Sequence, residues 1–184
     1  MSEFEFVSVL LSVIYGLGVT HLLKGLGRFV DQRRRPEFAH GVWAAGVFLT
    51  TMLQWWTLFA WRTTEQWTFA SFLCLTLLAI SYYVMTLLLF PPGIEDAEAQ
   101  ARAFDRNRGW FLHALAAMLL LDGAQMSLRG AIFSAPGYLP FVGHLLVICL
   151  VVARTASPAV HRAFAIYYLA AITSWTFLVR PLLG

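Results

Sequence analysis

The placement of charge constrains this chain more than any motif in it. Stretches 6–23, 38–61, 66–94, 130–153 and 163–179 carry no Asp, Glu, Lys or Arg, and 109–128 carries only Asp122. Each approaches or exceeds the roughly 20 apolar residues that cross a hydrocarbon core about 30 Å thick. A soluble domain of 184 residues has too little interior to bury six such segments. Hydrophobic residues make up 59% of the chain and charged residues 12%, against about 45–50% and about 25% in soluble domains. The excess runs the whole length and leaves no room for a separate soluble part. The expected fold is all-α: a polytopic membrane protein with six transmembrane helices in a single domain over 1–184.

The boundaries follow from breakers and caps. Helices are expected over about 4–30, 38–61, 67–90, 109–130, 139–155 and 158–179. Pro36 follows the first, and Pro91-Pro92-Gly93 stops the third, because two prolines and a glycine do not continue a helix. Pro136-Gly137 marks a turn, and Ser157-Pro158 reads as an N-cap with proline at the first helical position. The stretch 94–108 differs in character. Ile94, Ala97, Ala101 and Phe104 recur at helical spacing, and Glu98 and Arg102 stand four apart. It reads as a separate amphipathic helix lying along the membrane interface.

Charge also orients the chain. Lys24, Arg28, Arg33, Arg34, Arg35, Arg102, Arg106, Arg108, Arg154 and Arg162 fall on one side of the expected bundle; Arg62, Arg129 and Arg180 fall on the other. Short basic loops stay cytoplasmic, so both termini are expected outside, and the location is expected to be a bacterial inner (plasma) membrane. The run Arg33-Arg34-Arg35 reads as an orientation signal touching anionic lipid rather than as a nucleic-acid patch. The first helix lacks a basic leader and a small-residue cleavage site, so it is expected to stay as a span. Trp61, Trp67, Tyr138 and Trp175 fall at one expected boundary and Trp43 and Trp110 at the other, as interfacial aromatics do.

The halves share a faint pattern. Gly18, Leu23, Lys24 and Gly25 align with Gly123, Leu128, Arg129 and Gly130; Thr86 and Pro91 align with Thr176 and Pro181. Three spans per half would make this a 3+3 inverted repeat, a plan many transporters use.

Asp122 is the sharpest candidate for function. A carboxylate at a helix centre costs roughly 2.5–3.5 kcal/mol to insert, so it must face a partner, water or the bundle interior. Gln125 and Arg129 lie three and seven residues on, which makes one polar stripe. Gln54 is expected at a similar depth, with Ser81, Tyr82, Tyr83, Thr173 and Ser174 as further lining. His21 and His113 fall at matching depths on the first and fourth helices and could ligate haem or share a metal. His40 and His161 fall at boundaries and are expected to be solvated, and His144 has no level partner. Gly16, Gly18, Gly25 and Gly27, with Ser8 and Ser12, suggest close packing on the fourth helix or on another subunit.

No G-x-S-x-G, H-E-x-x-H or Walker loop occurs, so no enzyme is expected. Cys74 and Cys149 lie within spans at no metal-type spacing. The leading expectation is an ion channel or secondary transporter, cation- or proton-coupled. Asp122, Gln125, Gln54 and Arg129 would form its ion site, His21 and His113 its inner mouth, and no cofactor is required. One alternative is a haem- or metal-binding redox protein using His21 and His113. The other is a non-transporting scaffold, sensor or assembly subunit. The partners expected are the bilayer, anionic lipid at the basic loops and further copies of the chain, with no nucleic acid.

Overall fold

A computed structural model describes residues 2–33, 37–64, 66–133 and 136–179. Arg34, Arg35 and Pro36 of the basic run, and Arg180 and Pro181, lie outside the described residues. Among those described, the fold is all-helical, with α1 Glu3–Asp31, α2 Phe38–Leu58, α3 Phe69–Leu89, α4 Ala97–Leu128, α5 Tyr138–Ala153 and α6 Pro158–Ser174. A 3₁₀ turn, Phe59–Trp61, ends α2, and a π-helical turn, Trp175–Val179, extends α6.

Local chemistry sets the ends. Ser2 and Glu5 form a reciprocal capping box at α1, Ser2 Oγ accepting from the Glu5 amide at 3.2 Å and Glu5 Oε2 from the Ser2 amide at 2.8 Å. Thr68 caps α3 and Asp96 caps α4 in one direction only, their side chains accepting from the amides of Ser71 and Ala99. Gly93 turns the chain after α3 at φ 78°, in the left-handed region open to glycine.

The helices alternate in direction. At one end, the basic end, Arg28 at the close of α1 meets Glu95 before α4, and His40 at the start of α2 meets the Leu89 carbonyl. There too Arg108 reaches the Ala156 carbonyl between α5 and α6, and Arg162 meets Glu37. At the other end, the aromatic end, Trp61 packs on Trp67 with ring centroids 5.4 Å apart and Tyr138 packs near Trp175 at 6.3 Å. The interfacial aromatics expected at that boundary are therefore gathered at one end.

Among the described residues, four helices are long and apolar enough to cross a membrane: α1, α2 with its closing turn, α3 and α4. Helix α5 is apolar but has 16 residues, about 24 Å of helix.

Packing runs α1 on α3, α3 on α4, α4 on α5, and α2 on α6. Large rings fill the middle. Trp43 packs on Phe111, Phe164 and Tyr168, and Tyr15 on Tyr82; none of these six is more than 3% exposed. Trp43 is thus a core residue and not an interfacial one.

Three expectations change. The stretch 94–108 does not form a separate helix. From Ala97 it is the first part of α4, unbroken at Gly109. One glycine costs a helix only about 1 kcal/mol, and the early turns bury Ala97, Gln100, Ala103 and Phe104, which ties them to the bundle. The Glu98–Arg102 pair does form, at 3.8 Å. Second, the glycines of α1 serve α3 and not α4: a methyl on Gly18 would touch Tyr83, and one on Gly25 would overlap the Phe90 ring, whereas Gly16 and Gly27 face open space. Third, the neighbours of the two halves do not correspond. Helix α1 packs chiefly on α3, but its counterpart α4 packs on α3 and α5. Gly123, matched to Gly18, meets nothing within 4 Å.

Overpacking typically costs about 1–3 kcal/mol. Gly25→Ala is therefore expected to lower the thermal unfolding temperature in detergent, because the Phe90 ring is buried at its root. Gly27→Ala should leave that temperature unchanged or raise it slightly. Equal behaviour of the two variants would show that α1 does not pack on α3 through Gly25.

Candidate functional site

At the aromatic end the sequence places one carboxylate on α4 and aromatic donors on its neighbours. Asp122 sits about a turn and a half before α4 ends, and Tyr138 opens α5. The Tyr138 hydroxyl donates to Asp122 Oδ2 at 2.7 Å, and Gln125 Nε2 donates to Oδ1 at 3.1 Å. Gln125 Oε1 in turn accepts from Trp61 Nε1 at 3.1 Å. An indole N–H only donates. It therefore fixes the Gln125 amide with its oxygen toward Trp61 and its nitrogen toward Asp122. The acceptor role of the carboxyl group follows from that orientation. One chain of bonds thus joins the end of α2, the last turns of α4 and the start of α5.

Asp122, Gln125 and Tyr138 line a recess of about 50 Å³ with Gln54, Arg129 and Trp175. Gln54 is buried and Asp122 half-buried. The Arg129 guanidinium lies 6.0 Å from the centre of the Trp61 ring, within cation–π reach. The volume admits a few waters at most. A half-buried acid, two amides and a cation in so small a space can hold one small cation or proton, or can simply lock three helices together.

The structure therefore brings Asp122, Gln125, Gln54 and Arg129 into one place, as their spacing and depth imply. Other expected members are elsewhere. Ser81 donates to the Leu78 carbonyl of its own helix, Tyr82 is in the core, and Thr173 is exposed and bonded to the Leu169 carbonyl. Tyr138 and Trp61 are the partners the sequence did not single out. Both stood out only as boundary aromatics, and the usable signal was that each carries a donor an apolar neighbourhood cannot satisfy.

The histidines depart most from expectation. His21 and His113 do not share a site. The His21 imidazole donates through Nε2 to the Phe90 carbonyl at 2.7 Å and meets the Tyr83 ring, whereas His113 is exposed, donating to its own Gly109 carbonyl beside Trp110. Equal depth fixed the level of the two residues but not the direction each faces. His40 and His161 are not solvated: they are 1% and 7% exposed and are bonded to the Leu89 and Thr155 carbonyls. His144 does have a partner, Tyr167 Oη at 2.7 Å from its Nε2. Among the described residues no group of three or more His, Cys, Asp or Glu is placed to hold a metal ion.

If the Tyr138–Asp122 bond ties α5 to α4, Tyr138→Phe and Asp122→Ala should each lower unfolding stability, and the double variant should lose less than the sum. A coupling of about 1–3 kcal/mol is expected. Additive losses in chemical unfolding would mean that the bond contributes nothing.

Comparison with family models, with characterised proteins and with solved structures finds no match to this chain.

Proposed function

We propose that the chain is an integral membrane protein crossing the bilayer six times, with its basic end cytoplasmic and both termini outside, and that it serves as a non-transporting scaffold, sensor or assembly subunit. The observation that carries this reading is the state of Asp122. One of its oxygens accepts from Tyr138 of α5 and the other from Gln125 of its own helix, itself held by Trp61 at the end of α2, in a recess with space for a few waters. A carboxylate so engaged stabilises the meeting of α2, α4 and α5. Toward the middle of the bundle the buried rings of Trp43, Tyr82 and Tyr168 fill the interior. Partners would meet the basic end, where Arg102, Asp105 and Arg106 on the first part of α4 are exposed.

A cation- or proton-coupled channel or transporter is the second reading. It is favoured by the half-buried state of Asp122 and by the gathering of Gln54, Gln125 and Arg129 around it.

Flux separates the two. Proteoliposomes loaded with a pH-sensitive or alkali-cation-sensitive dye are expected to leak no faster than empty liposomes, with or without Asp122→Asn. Protein-dependent flux that Asp122→Asn abolishes would replace the scaffold with the transport reading. Sidedness has its own test. A cysteine placed at Gln32 should be shielded from an impermeant thiol reagent in intact cells, and one at Thr64 should react. Cys74 and Cys149 are buried and should add little background. Reaction at Gln32 would reverse the assigned orientation.

A further inference from the structure

At the basic end a cavity of about 240 Å³ lies between the starts of α2 and α6 and the flank of α4. Its floor is apolar, with Trp43, Phe104 and Phe111, and its rim carries Glu37, Asp105, Arg108 and Arg162. The charges come as two loose pairs. Arg162 Nε is 3.5 Å from Glu37 Oε1, and Arg108 Nη1 is 3.9 Å from Asp105 Oδ1. A guanidinium has five donors. Besides those pairs, Arg108 spends one on the Ala156 carbonyl, at 3.0 Å, so most donors on both arginines remain unspent among the described residues. The start of α6 adds to them. Ser157 gives no side-chain cap there and Pro158 lacks an amide, so among the described residues no side chain caps the amides of the first turn, at the positive helix terminus.

The sign of the rim selects the ligand. A bare anion would be drawn to the guanidiniums and repelled by Glu37 and Asp105. A bare cation would meet the reverse. A molecule carrying both charges a few bonds apart satisfies all four groups. The face of α6 that carries Arg162 then turns apolar. Ile166 and Ala170, four and eight residues on, are exposed, so a charged head in the cavity has a bare apolar track beneath it. That sequence of surfaces matches an amphiphile.

We propose that this cavity binds a phosphoethanolamine group, its phosphate held by Arg108 and Arg162 and its ammonium by Glu37 and Asp105, and that the group is the headgroup of a phosphatidylethanolamine lipid. The lipid source rests on the membrane reading above; the recognition of the zwitterion does not.

The test uses the full-length protein in detergent and counts bound lipid by native mass spectrometry. It is offered short-chain phosphatidylethanolamine, phosphatidylglycerol or phosphatidylcholine, with soluble phosphoethanolamine and inorganic phosphate as competitors. Phosphatidylethanolamine should bind at least about tenfold more tightly than the other two, and soluble phosphoethanolamine should displace it. Arg162→Gln and Glu37→Gln should each weaken binding about tenfold, the scale of one charge-assisted hydrogen bond. Arg162→Lys, which keeps the charge, should lose less. Both side chains are substantially exposed, and unchanged unfolding temperatures would certify that the variants fold. Equal binding of the three lipids, or full retention by both neutral variants, would overturn the site. Binding of soluble phosphoethanolamine without the lipid would overturn the lipid source alone. None of these outcomes depends on ion flux, so failure here and failure of the scaffold reading are separately visible.

Discussion

A polar group in a long apolar helix is costly to leave without a partner inside the protein, and this cost shapes the whole bundle. Backbone amides and carbonyls are met by forming helix. Hydroxyl side chains mostly follow the same economy within their own helix. Thr50, Thr51, Thr76, Thr173 and Thr176 each donate to the carbonyl four residues back. A hydroxyl proton spent this way is not available to another helix, and only the oxygen's acceptor capacity remains. The middle of the bundle is accordingly held by the shapes of Trp43, Phe111, Tyr15 and Tyr82, with the Thr50–Tyr168 contact at 3.0 Å as a polar exception. Polar ties between helices gather at the two ends: Trp61, Gln125, Asp122 and Tyr138 at one, and His21, Gln32, His40 and Arg108 at the other.

That division explains what could be read from the sequence. The gaps between charges mark elements well, because a charge cannot sit unpaired on an apolar face. Asp122, Gln125 and Arg129 could be joined because they share one helix, where spacing fixes direction as well as depth. Gln54 could be added by level alone, and it falls in the recess. The same reasoning failed for His21 and His113. Two helices at one level still leave each residue's rotation about its axis undetermined, and His113 points outward.

The break expected at Gly109 failed for a related reason. The apolar face over 94–104 is real, but an amphipathic face records only that something covers it. Here the cover is the basic end of the protein's own bundle. Phe104 stacks on His40, their ring centroids 4.9 Å apart. The crossing segment explains why His40 is buried although it stands at a helix start. It also buries Gln100, whose side-chain amide has no partner among the described residues, a local conflict of a kind that gathers where structure serves something beyond stability.

The two ends are built of different bonds, and the difference bears on function. At the aromatic end the ties are direct hydrogen bonds of 2.7–3.1 Å among buried Trp61, Gln125 and Tyr138 and half-buried Asp122. Such bonds lose heavily when one partner is removed, because the other is stranded away from water. At the basic end, rigidity comes from side chains bonded to carbonyls: His40 to Leu89, His161 to Thr155, Gln32 to Glu95. The ion pairs there are 3.3–3.9 Å long, and in each at least one partner is more than half exposed, though Arg28 and Arg108 are mostly covered; exposed pairs contribute about 0–1 kcal/mol. The fold would lose little if they opened. Ion pairs that are cheap to separate leave their charges available to an outside molecule. That contrast supports the proposal that the basic end meets an outside molecule, whereas Asp122, the charge that first draws attention in the sequence, is bonded to Tyr138 and Gln125 at the aromatic end.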